Sequence, residues 1–208
     1  MMRQSKNPKM IVLPEPDLTG KKSLEETLAA RRSERNFSDE SVNLEQVSQL
    51  LWAAQGITGK DRFRTAPSAG ALYPLEMYVI AGTNDDLPAG VYQYLPDTHS
   101  LIQLLSTDLR KGFCDAGLSQ SSIKKAPVSF LITGIIKKTT VKYGHRGIQY
   151  VFMEAGHAGQ NILLQAEALG LSAVPIGAFD DKEIMQLIKL NEGEQPLYLI
   201  PVGYATDH

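Results

Sequence analysis

The sequence predicts one domain that combines helices with strands, and three segments support this prediction. Residues 144–179 are typical of a long helix that leads the chain into a buried strand. Residues 90–105 place two β-rich stretches around a Pro-Asp turn signal, as in a hairpin. Residues 128–136, VSFLITGII, are apolar on both faces and predict a central strand. With 208 residues, 43% of them hydrophobic, the chain can build one sizeable core.

The predicted long helix carries small residues in its middle. Its inward face is formed by apolar or small residues at spacings of three and four: Ile148, Val151, Phe152, Ala155, Gly159, Ile162, Ala166 and Leu169. Gly170 then supplies the left-handed residue that favours a helix end. Because a mid-helix Gly costs roughly 1 kcal/mol relative to Ala, Ala155, Gly156 and Gly159 indicate that something approaches this helix closely. Another helix, a flat ligand and a subunit partner all stay open at this point.

Other helices are predicted from their capping signals. Three starts place a polar cap three residues before Glu or Gln: Ser23 with Glu26, Asn43 with Gln46, and Asp180 with Glu183. Gly56 is expected to end the second of these helices, and residues 108–116 predict a short one. Residues 137–146 are interpreted as a basic connection into the long helix.

Proline and small residues mark the boundaries of the remaining strands. Residues 65–74, TAPSAGALYP, exclude a regular element and lead into the β-rich stretch 77–81. A last strand is predicted at 197–202, bounded by Pro196 and Pro201. Residues 1–22 are polar and broken by prolines, which predicts an N-terminal arm before a single domain at 23–208.

Charge and composition narrow the class of protein. A formal net charge of −2 gives no electrostatic signature for nucleic acid or an anionic membrane, so neither partner is expected. Cys114 is the only cysteine, which excludes an intrachain disulfide. No apolar run approaches the ~20 residues of a membrane span, and the first residues lack a secretory apolar region. We therefore expect a cytoplasmic protein.

The sequence offers few residues for metal or nucleophilic catalysis. No two of its histidines have the spacing of a helical zinc pair: His99, His145, His157 and His208. A metal site is therefore not expected. Gly-rich phosphate fingerprints and the nucleophile motif G-x-S-x-G are also absent from the sequence. Four loop motifs remain that could hold an anion and a flat polar ring: RRSERNF, APSAGALYP, KYGHRG and AVPIGAF.

Three of these segments admit both a binding and a structural interpretation. Residues 31–37, here called the arginine turn, place three guanidinium groups and the Ser33 hydroxyl within five positions, which suits a phosphate but also a solvated turn. Residues 65–74, the glycine loop, let backbone amides approach a ligand, or form an ordinary loop. Residues 174–177, the edge segment, offer backbone donors beside a ring, or end a buried strand.

Six motifs in order, RRSERNF, APSAGALYPLE, KYGHRG, EAGHAGQNILLQAEALGL, AVPIGAFDD and PLYLIPVG, resemble the nitroreductase superfamily and most closely its SagB-type dehydrogenase branch. The resemblance extends from about Ser23 to Gly203. It implies an α+β fold, a three-layer sandwich with a mainly antiparallel mixed sheet flanked by helices. It also implies an intertwined homodimer with two FMN sites at its interface.

The resemblance assigns roles to individual residues. The expected holders of the FMN phosphate, ribityl chain and pyrimidine edge are Arg31, Arg32, Ser33 and Arg35. The residues expected to reach the flavin from the other subunit are Pro67, Ser68, Ala69, Gly70 and Leu72. Those expected to lie along the flavin ring near N5 are Pro175, Ile176 and Gly177. Lys142 and Tyr143 match a Lys-Tyr pair that azoline oxidases use in catalysis. Asn161 is either a flavin ligand or a structural residue that bonds a buried backbone group.

One position departs from the family pattern. Relatives often carry a basic phosphate-binding residue after the last strand, where this chain has Tyr204.

The resemblance implies an FMN-dependent reductase that takes hydride from NADH or NADPH and passes electrons to a nitro, quinone or related small-molecule acceptor by a ping-pong route. Two alternatives stay open. One is a SagB-type peptide azoline oxidase, which a chain this short without a peptide-recognition domain disfavours. The other is an FMN-binding or storage module without turnover.

Overall fold

The computed structural model describes residues 9–82 and 86–206. Its nine strands within these ranges are β1 Met10–Val12, β2 Ile57–Thr58, β3 Phe63–Arg64, β4 Leu75–Ala81, β5 Gly90–Leu95, β6 Ser100–Leu105, β7 Val128–Ile135, β8 Ser172–Ala173 and β9 Glu194–Gly203. Its seven α-helices there are α1 Leu24–Ala30, α2 Leu44–Gln55, α3 Arg110–Ala116, α4 Ser121–Lys125, α5 Ile136–Tyr143, α6 Arg146–Ala168 and α7 Asp181–Ile188.

A seven-stranded sheet with the order β1-β6-β5-β4-β7-β9-β8 forms the middle layer, and its neighbouring strands are antiparallel. Successive residues of β4 face opposite sides, so Met77 and Val79 pack under α2 and α6 while Tyr78 and Ile80 join the core of α3, α4 and α7. One parallel bridge, between Ser33 and Ala173, adds to this pattern. The predicted α+β three-layer sandwich is confirmed.

The predicted caps occur where the sequence places them. The side chains of Ser23 and Asn43 each complete a capping box at the start of α1 and α2, and Asp180 accepts the backbone N–H of Glu183 before α7. Gly56 caps the C-terminus of α2. Gly170 follows α6 with φ of +74°, the left-handed value expected of a helix stop.

The segment at 137–146, interpreted from the sequence as a basic connection into the long helix, is mostly helical, and the sequence did not predict this helix. Helix α5 contains β-branched Thr139, Thr140 and Val141, which lower helix propensity. Packing overrides this preference because Thr139 is buried and Gly147 lets α6 approach very closely. A Cβ at Gly147 would lie 2.9 Å from backbone atoms of α5. The five-residue helix α4 was not predicted either.

The last strand extends beyond the prolines that were predicted to bound it. Its register against β7 shifts between Ile132 and Thr133, whose partners are Tyr198 and Pro196, so Leu197 is an extra residue in a bulge. Pro196 is accommodated at this irregularity. Pro201 pairs with Ser129 of β7 on one side. On the other side, β9 has only the two-residue strand β8 and the edge segment as neighbours, and the Pro201 carbonyl accepts the N–H of Val174 there.

Part of the predicted N-terminal arm belongs to the sheet. Strand β1 pairs antiparallel with β6, and Leu13 is buried in the core. The hydroxyl of Ser48 donates to the Pro14 carbonyl at 2.6 Å and lies 2.7 Å from Nε2 of His99. Residues 1–8 of the arm and His208 lie outside the described residues, and the boundary at residue 22 stays a prediction.

A buried carboxylate joins β4, β7 and β9 at the end of the sheet where β4 begins. Glu194, which is fully buried, accepts hydrogen bonds from the hydroxyls of Tyr78 and Thr133 and from the amide of Asn191. Burial and this neighbouring carboxylate raise the pKa of Tyr78. The network fixes the sheet end into which the glycine loop leads.

Among the described residues, no helix is long and apolar enough to cross a membrane.

Candidate functional site

The arginine turn lies against the last strands of the sheet. Ser33 forms a parallel bridge with Ala173, and the Glu34 N–H donates to the Ala173 carbonyl at 3.1 Å. On the other side, Phe37 bridges Ala205. The turn is therefore held on both sides by backbone pairing, although most of its polar side chains are exposed.

The four predicted phosphate-binding residues are together on this turn. Arg31 caps the C-terminus of α1 and is partly buried, whereas Arg32, Ser33 and Arg35 are exposed. Two guanidinium groups bond nearby carbonyls: Arg32 contacts Ala29 and Arg31 at 2.9 and 2.8 Å, and Arg35 contacts Ser33 at 3.4 Å. The turn concentrates positive charge where the helix ends. This chemistry fits a phosphate.

Tyr204, the position that departs from the family pattern, is bound to α2. Its hydroxyl accepts a hydrogen bond from the amide of Gln46 at 2.8 Å, and its carbonyl accepts the N–H of Ser38 at 2.9 Å. The residue therefore anchors the chain beside the arginine turn without adding a charge. A phosphate bound here would depend on Arg31, Arg32 and Arg35.

The edge segment runs along β9 and leaves backbone groups on its outer side. Ile176 exchanges two backbone hydrogen bonds with Leu199, at 2.8 and 2.9 Å. Because backbone groups alternate in direction along an extended chain, those of Pro175 and Gly177 point away from β9. Gly177 is exposed, and a Cβ there would still be 3.8 Å from the Tyr198 ring. The segment thus offers an open backbone surface beside the arginine turn.

The glycine loop adopts a strained conformation before β4. Residues Ala69–Ala71 form a single 3₁₀ turn, and Gly70, Ala71 and Tyr73 have φ values of +62°, +54° and +45°. The left-handed region is unfavourable for Ala and Tyr, so surrounding contacts must hold this shape. One such contact is the hydrogen bond of 2.9 Å from the Tyr73 N–H to Oγ of Ser68.

Lys142 and Tyr143 meet the glycine loop at Gly70. A Cβ on Gly70 would lie 2.8 Å from Nζ of Lys142 and 2.7 Å from Oη of Tyr143, so both polar groups touch the bare backbone of the loop. The Tyr143 ring packs edge-on against Tyr150 at 5.2 Å, which restrains its position at the end of α5. The structure therefore brings together the predicted catalytic pair and the predicted loop.

These contacts divide the predicted residues into two sets at opposite ends of the sheet. The arginine turn lies beside Ala173, which pairs with Val202 of β9. The glycine loop enters β4 at Leu75, in line with Gln195 of β9 through the intervening β7. The two β9 positions are seven residues apart, which is about 23 Å along a strand. The edge segment extends from the arginine turn part of the way along this distance.

The small residues of α6 have different surroundings, which bears on the possibilities that the sequence left open. Ala155 is buried in the core, and Gly159 packs against Tyr198 and Ile200 of the same chain, so neither faces a partner. Gly156 is open on the outer side, where a Cβ would meet no atom within 4 Å. Phe152, predicted on the inward face, is 50% exposed on the same outer side.

Asn161 connects α6 to α2. Its side-chain amide donates to the Ala53 carbonyl at 2.9 Å, which is the structural interaction that the sequence left as one of two possibilities. The residue also lines an open groove of about 350 Å³ together with Trp52 and Thr65. A role in flavin binding stays a prediction.

Glu154 was missed by the sequence analysis. It lies on the inward face of α6, only 2% exposed, and its Oε1 has no hydrogen-bond partner among the described residues. Burial raises the pKa of this carboxyl to about 7, while Ser68, Arg64 and Lys138 act in the opposite direction. The signal in the sequence was a carboxylate three residues after Val151 and four before Ala158, on a face that is otherwise apolar.

The described residues contain no group of His, Cys, Asp and Glu side chains able to hold a metal ion.

The chain matches the nitroreductase family over residues 28–204. It is 42% identical over 180 residues to the nitroreductase-like protein MJ1384 of Methanocaldococcus jannaschii, covering 86% of this chain and 90% of that protein. It is 27% identical to the microcin B17-processing protein McbC of Escherichia coli, covering 76% of this chain and 60% of McbC.

A solved structure shows the same architecture. The crystal structure of a nitroreductase-like protein from Ralstonia eutropha JMP134 superposes with a TM-score of 0.84 at 29% identity, covering 100% of this chain and 96% of that chain. The similarity therefore includes the glycine loop, the edge segment and the arginine turn as parts of one fold.

Replacing Gly70 by Ala tests the contact between the loop and the Lys-Tyr pair. We expect a loss of about 1–2 kcal/mol in the free energy of unfolding, because Ala is disfavoured at this φ, and a displacement of the Tyr143 ring. Gly59→Ala is the matched control, since Gly59 has φ of +65° but no atom within 4 Å of its Cβ position. NMR should show shifted Tyr143 ring resonances only in Gly70→Ala. Unshifted resonances in that variant would contradict the contact.

The buried carboxyl of Glu154 makes stability depend on pH. Its pKa is near 7 in the folded chain and 4.5 without burial, so the folded state binds more protons between these values. The difference in pKa therefore adds to the free energy of unfolding, and this stabilisation is fully present below pH 4.5. It is lost as pH rises through 7, by roughly 2–3 kcal/mol between pH 5 and 8. The free energy of unfolding measured in urea should fall over this pH range in wild type but not in Glu154→Gln. Glu167→Gln, at an exposed ion pair on the same helix, should not change the pH profile.

Proposed function

Because the chain belongs to the nitroreductase family, we propose that it is an FMN-dependent oxidoreductase that uses NADH or NADPH to reduce nitro, quinone or related small-molecule acceptors. The observation that carries this proposal is the separation of the predicted residues into two sets. One set concentrates guanidinium groups beside an open backbone edge. The other places a small-residue loop against a lysine and a tyrosine.

The residues present fit FMN. The arginine turn would hold the phosphate through Arg31, Arg32, Ser33 and Arg35, because guanidinium groups bind phosphate oxygens through paired N–H donors. The edge segment would lie along the ring system through Pro175, Ile176 and Gly177, of which Gly177 is exposed and has no side chain that would need to move. FMN, when bound, accepts a hydride from NADH or NADPH at N5 and returns electrons to an acceptor.

We further propose that the active form is a homodimer and that each FMN site takes one set of residues from each protomer. In one chain the arginine turn and the start of β4 are separated by about 23 Å along β9. A two-fold axis can place the glycine loop of one protomer, with Pro67, Ser68, Ala69, Gly70 and Leu72, against the edge segment of the other. The open side of α6, with Gly156 and the half-exposed Phe152, is available for such an interface.

Within such a site this chain would bind, orient and supply protons. The backbone N–H of Gly177 points away from β9 and can donate to a ring acceptor atom. Nζ of Lys142 and Oη of Tyr143 meet at Gly70, where they can hold an acceptor by hydrogen bonds and deliver protons to it. Asn161 keeps α6 and α2 together behind the site.

A second candidate, a SagB-type peptide azoline oxidase, is favoured by one specific observation. Lys142 and Tyr143 converge on the loop, as a catalytic pair must, and the chain resembles McbC, a protein that processes microcin B17. Oxidation of an azoline ring removes a hydride, which bound FMN would take up, and a proton, which this pair would receive. The chain spans 60% of McbC, so the substrate of that protein is only a guide to this one.

The first test asks whether the two sets come from different protomers. Arg31→Ala should weaken FMN binding by roughly 10–150-fold, because a hydrogen bond to a charged group contributes about 1.5–3 kcal/mol. Gly70→Phe should also weaken it, since the ring would displace Lys142 and Tyr143. A heterodimer of the two variants, purified through two tags, should regain one tight FMN site per dimer by fluorescence titration.

Each outcome of this experiment has a definite meaning. If both sets acted within the same protomer, the heterodimer would contain no intact site and no tight binding. Unchanged FMN affinity in Arg31→Ala would mean that the arginine turn is a solvated turn. Arg31→Lys serves as the conservative control and should recover part of the affinity.

The second test separates reductase from oxidase through Lys142. In a reductase the donor delivers hydride without a protein base, so Lys142→Ala should change NAD(P)H-driven loss of the flavin band near 450 nm by less than about tenfold. In an azoline oxidase, the same variant and Tyr143→Phe should lose more than a hundredfold with an azoline peptide. Anaerobic single-turnover spectra measure both. No loss of the band in wild type with either nucleotide would contradict the reductase and favour the oxidase or a storage module.

A further inference from the structure

The hairpin formed by β2 and β3 encloses a cavity together with the glycine loop. Its volume is about 340 Å³, within the range of small-molecule pockets. It is lined by residues of the hairpin, by Ala71 and Tyr73 of the glycine loop, and by Asp97 in the turn between β5 and β6. We call it the hairpin cavity. Since Ala71 directly follows Gly70, a ligand in this cavity would border the part of the loop that touches the Lys-Tyr pair.

Arg64 contributes a guanidinium group to the lining of the hairpin cavity. The residue is partly buried, and its Nη1 donates to Oε1 of Gln55 at 2.7 Å. Its Cζ lies 4.6 Å from the centre of the Tyr73 ring. In the described part of the chain, its other N–H groups have no hydrogen-bond partner and no carboxylate forms an ion pair with it. A guanidinium carries several N–H donors in a planar fork, so Arg64 keeps donors for an oxyanion.

The backbone around Arg64 is fixed to the end of α2. The next residue, Thr65, donates its N–H to the Gly56 carbonyl and its hydroxyl to the Trp52 carbonyl, both at 2.9 Å. Gln55, which accepts the hydrogen bond from Arg64, is fully buried at the last position of the helix. The guanidinium is therefore held in place before a ligand arrives, and little side-chain entropy would be lost on binding.

The charges around the hairpin cavity favour an anion. The cavity lining and the tip of the hairpin carry three cations and two carboxylates, so one positive charge remains: Lys60, Arg62, Arg64, Asp61 and Asp97. Asp97 is already engaged by Arg62 in an exposed ion pair. Asp61 is exposed at the tip, where water and salt screen its charge. Arg64 is the only partly buried member of this group, so its charge is screened least.

Aromatic side chains border the same cavity. Tyr73 lies beneath the Arg64 guanidinium, and Phe63 is 56% exposed on the hairpin. Aromatic rings provide a large apolar surface with preferred stacking geometries. The lining therefore suits a planar ring that carries an oxyanion.

We propose that the hairpin cavity is a subsite for an oxyanion carried by a substrate, and that Arg64 binds this oxyanion. The inference rests on the proposed function, because the acceptor and the donor nucleotide are the substrates of that reaction. The oxyanion is the carboxylate of an aromatic acceptor or the phosphate by which NADPH differs from NADH. Both present oxygens that a guanidinium binds through paired N–H donors. Arg64 thus selects among substrates.

Two acceptors of the same shape and different charge test the first source. 4-Nitrobenzoate carries a carboxylate where 4-nitrobenzamide has a neutral amide. The ratio of their kcat/KM values should fall at least about tenfold from wild type to Arg64→Gln, since a hydrogen bond to a charged group contributes at least this much. Lys111→Gln, which removes an exposed cation on α3, should keep the wild-type ratio. A purely structural role of Arg64 would slow both acceptors equally and leave the ratio unchanged.

The second source is tested by the donor with the neutral acceptor. The ratio of kcat/KM for NADPH to that for NADH falls in Arg64→Gln if the oxyanion belongs to the nucleotide. A fall in either ratio supports the subsite and identifies the source, whereas no fall in either ratio would overturn the proposal. Arg64→Lys keeps the charge but not the planar fork, so it should retain part of the affected ratio.

Binding without turnover keeps the test decisive even if the Arg64 variants do not fold. In the wild-type protein as purified, 4-nitrobenzoate but not 4-nitrobenzamide, or NADP⁺ but not NAD⁺, should shift the NMR signals of the Ile57, Phe63 and Ala71 amides. No shift with any of these four probes would overturn the subsite. If no acceptor is reduced with either nucleotide, the proposed function fails, and these shifts still decide whether the cavity binds an oxyanion. Normal reduction with unchanged ratios and no shifts would leave the proposed function standing without the subsite.

Discussion

Strand β9 sets the distance between the two groups of residues that the proposed FMN site would use. It runs ten residues beside β7, and its two ends hold different groups of residues in place. Near its C-terminal end, β8 and the parallel bridge from Ser33 position the arginine turn. At its N-terminal end, Glu194 fixes the neighbouring starts of β4 and β9 with the end of β7, and the glycine loop follows that arrangement. A rigid antiparallel strand cannot be shortened, so the proposed FMN site, which uses both groups, would need two chains related by symmetry.

Much of the fold follows from local sequence signals, because caps and periodicity act within a few residues. The side chains of Ser23 and Asn43 start their helices by accepting the backbone N–H three residues later. Gly170 follows the end of α6 with a positive φ. The features that the sequence did not predict depend on contacts between elements. Helix α5 forms despite its β-branched residues because Gly147 lets α6 pack against it. Likewise, β9 passes through Pro196 because a bulge in its pairing with β7 absorbs the irregularity.

The site shows the same division between local and long-range information. The motif resemblance named the arginine turn, the edge segment and the Lys-Tyr pair as parts of the expected site. In the structure the arginine turn exposes polar side chains, the edge segment has backbone groups that point away from β9, and the Lys-Tyr pair contacts Gly70. It could not assign Glu154, because the sequence does not show that this carboxylate is buried with Oε1 unpaired. Nor could spacing alone tell Gly156 from Gly159. One lies on the open side of α6 and the other packs against Tyr198, although both fit the same pattern of small residues.

The hydrogen bond and ring contact within the glycine loop contribute no more than its backbone strain costs. Left-handed Ala71 and Tyr73 each cost on the order of 1–3 kcal/mol. The hydrogen bond from Tyr73 to Ser68 contributes about 0.5–1.5 kcal/mol, and the Arg64 guanidinium above the Tyr73 ring contributes about 0.5–1 kcal/mol more. These contributions are no larger than the strain, so the loop depends on what else touches it. A ligand or second protomer that contacted the loop beside Lys142 and Tyr143, as proposed above, would therefore favour this conformation and would bind more tightly wherever the loop is already held in it.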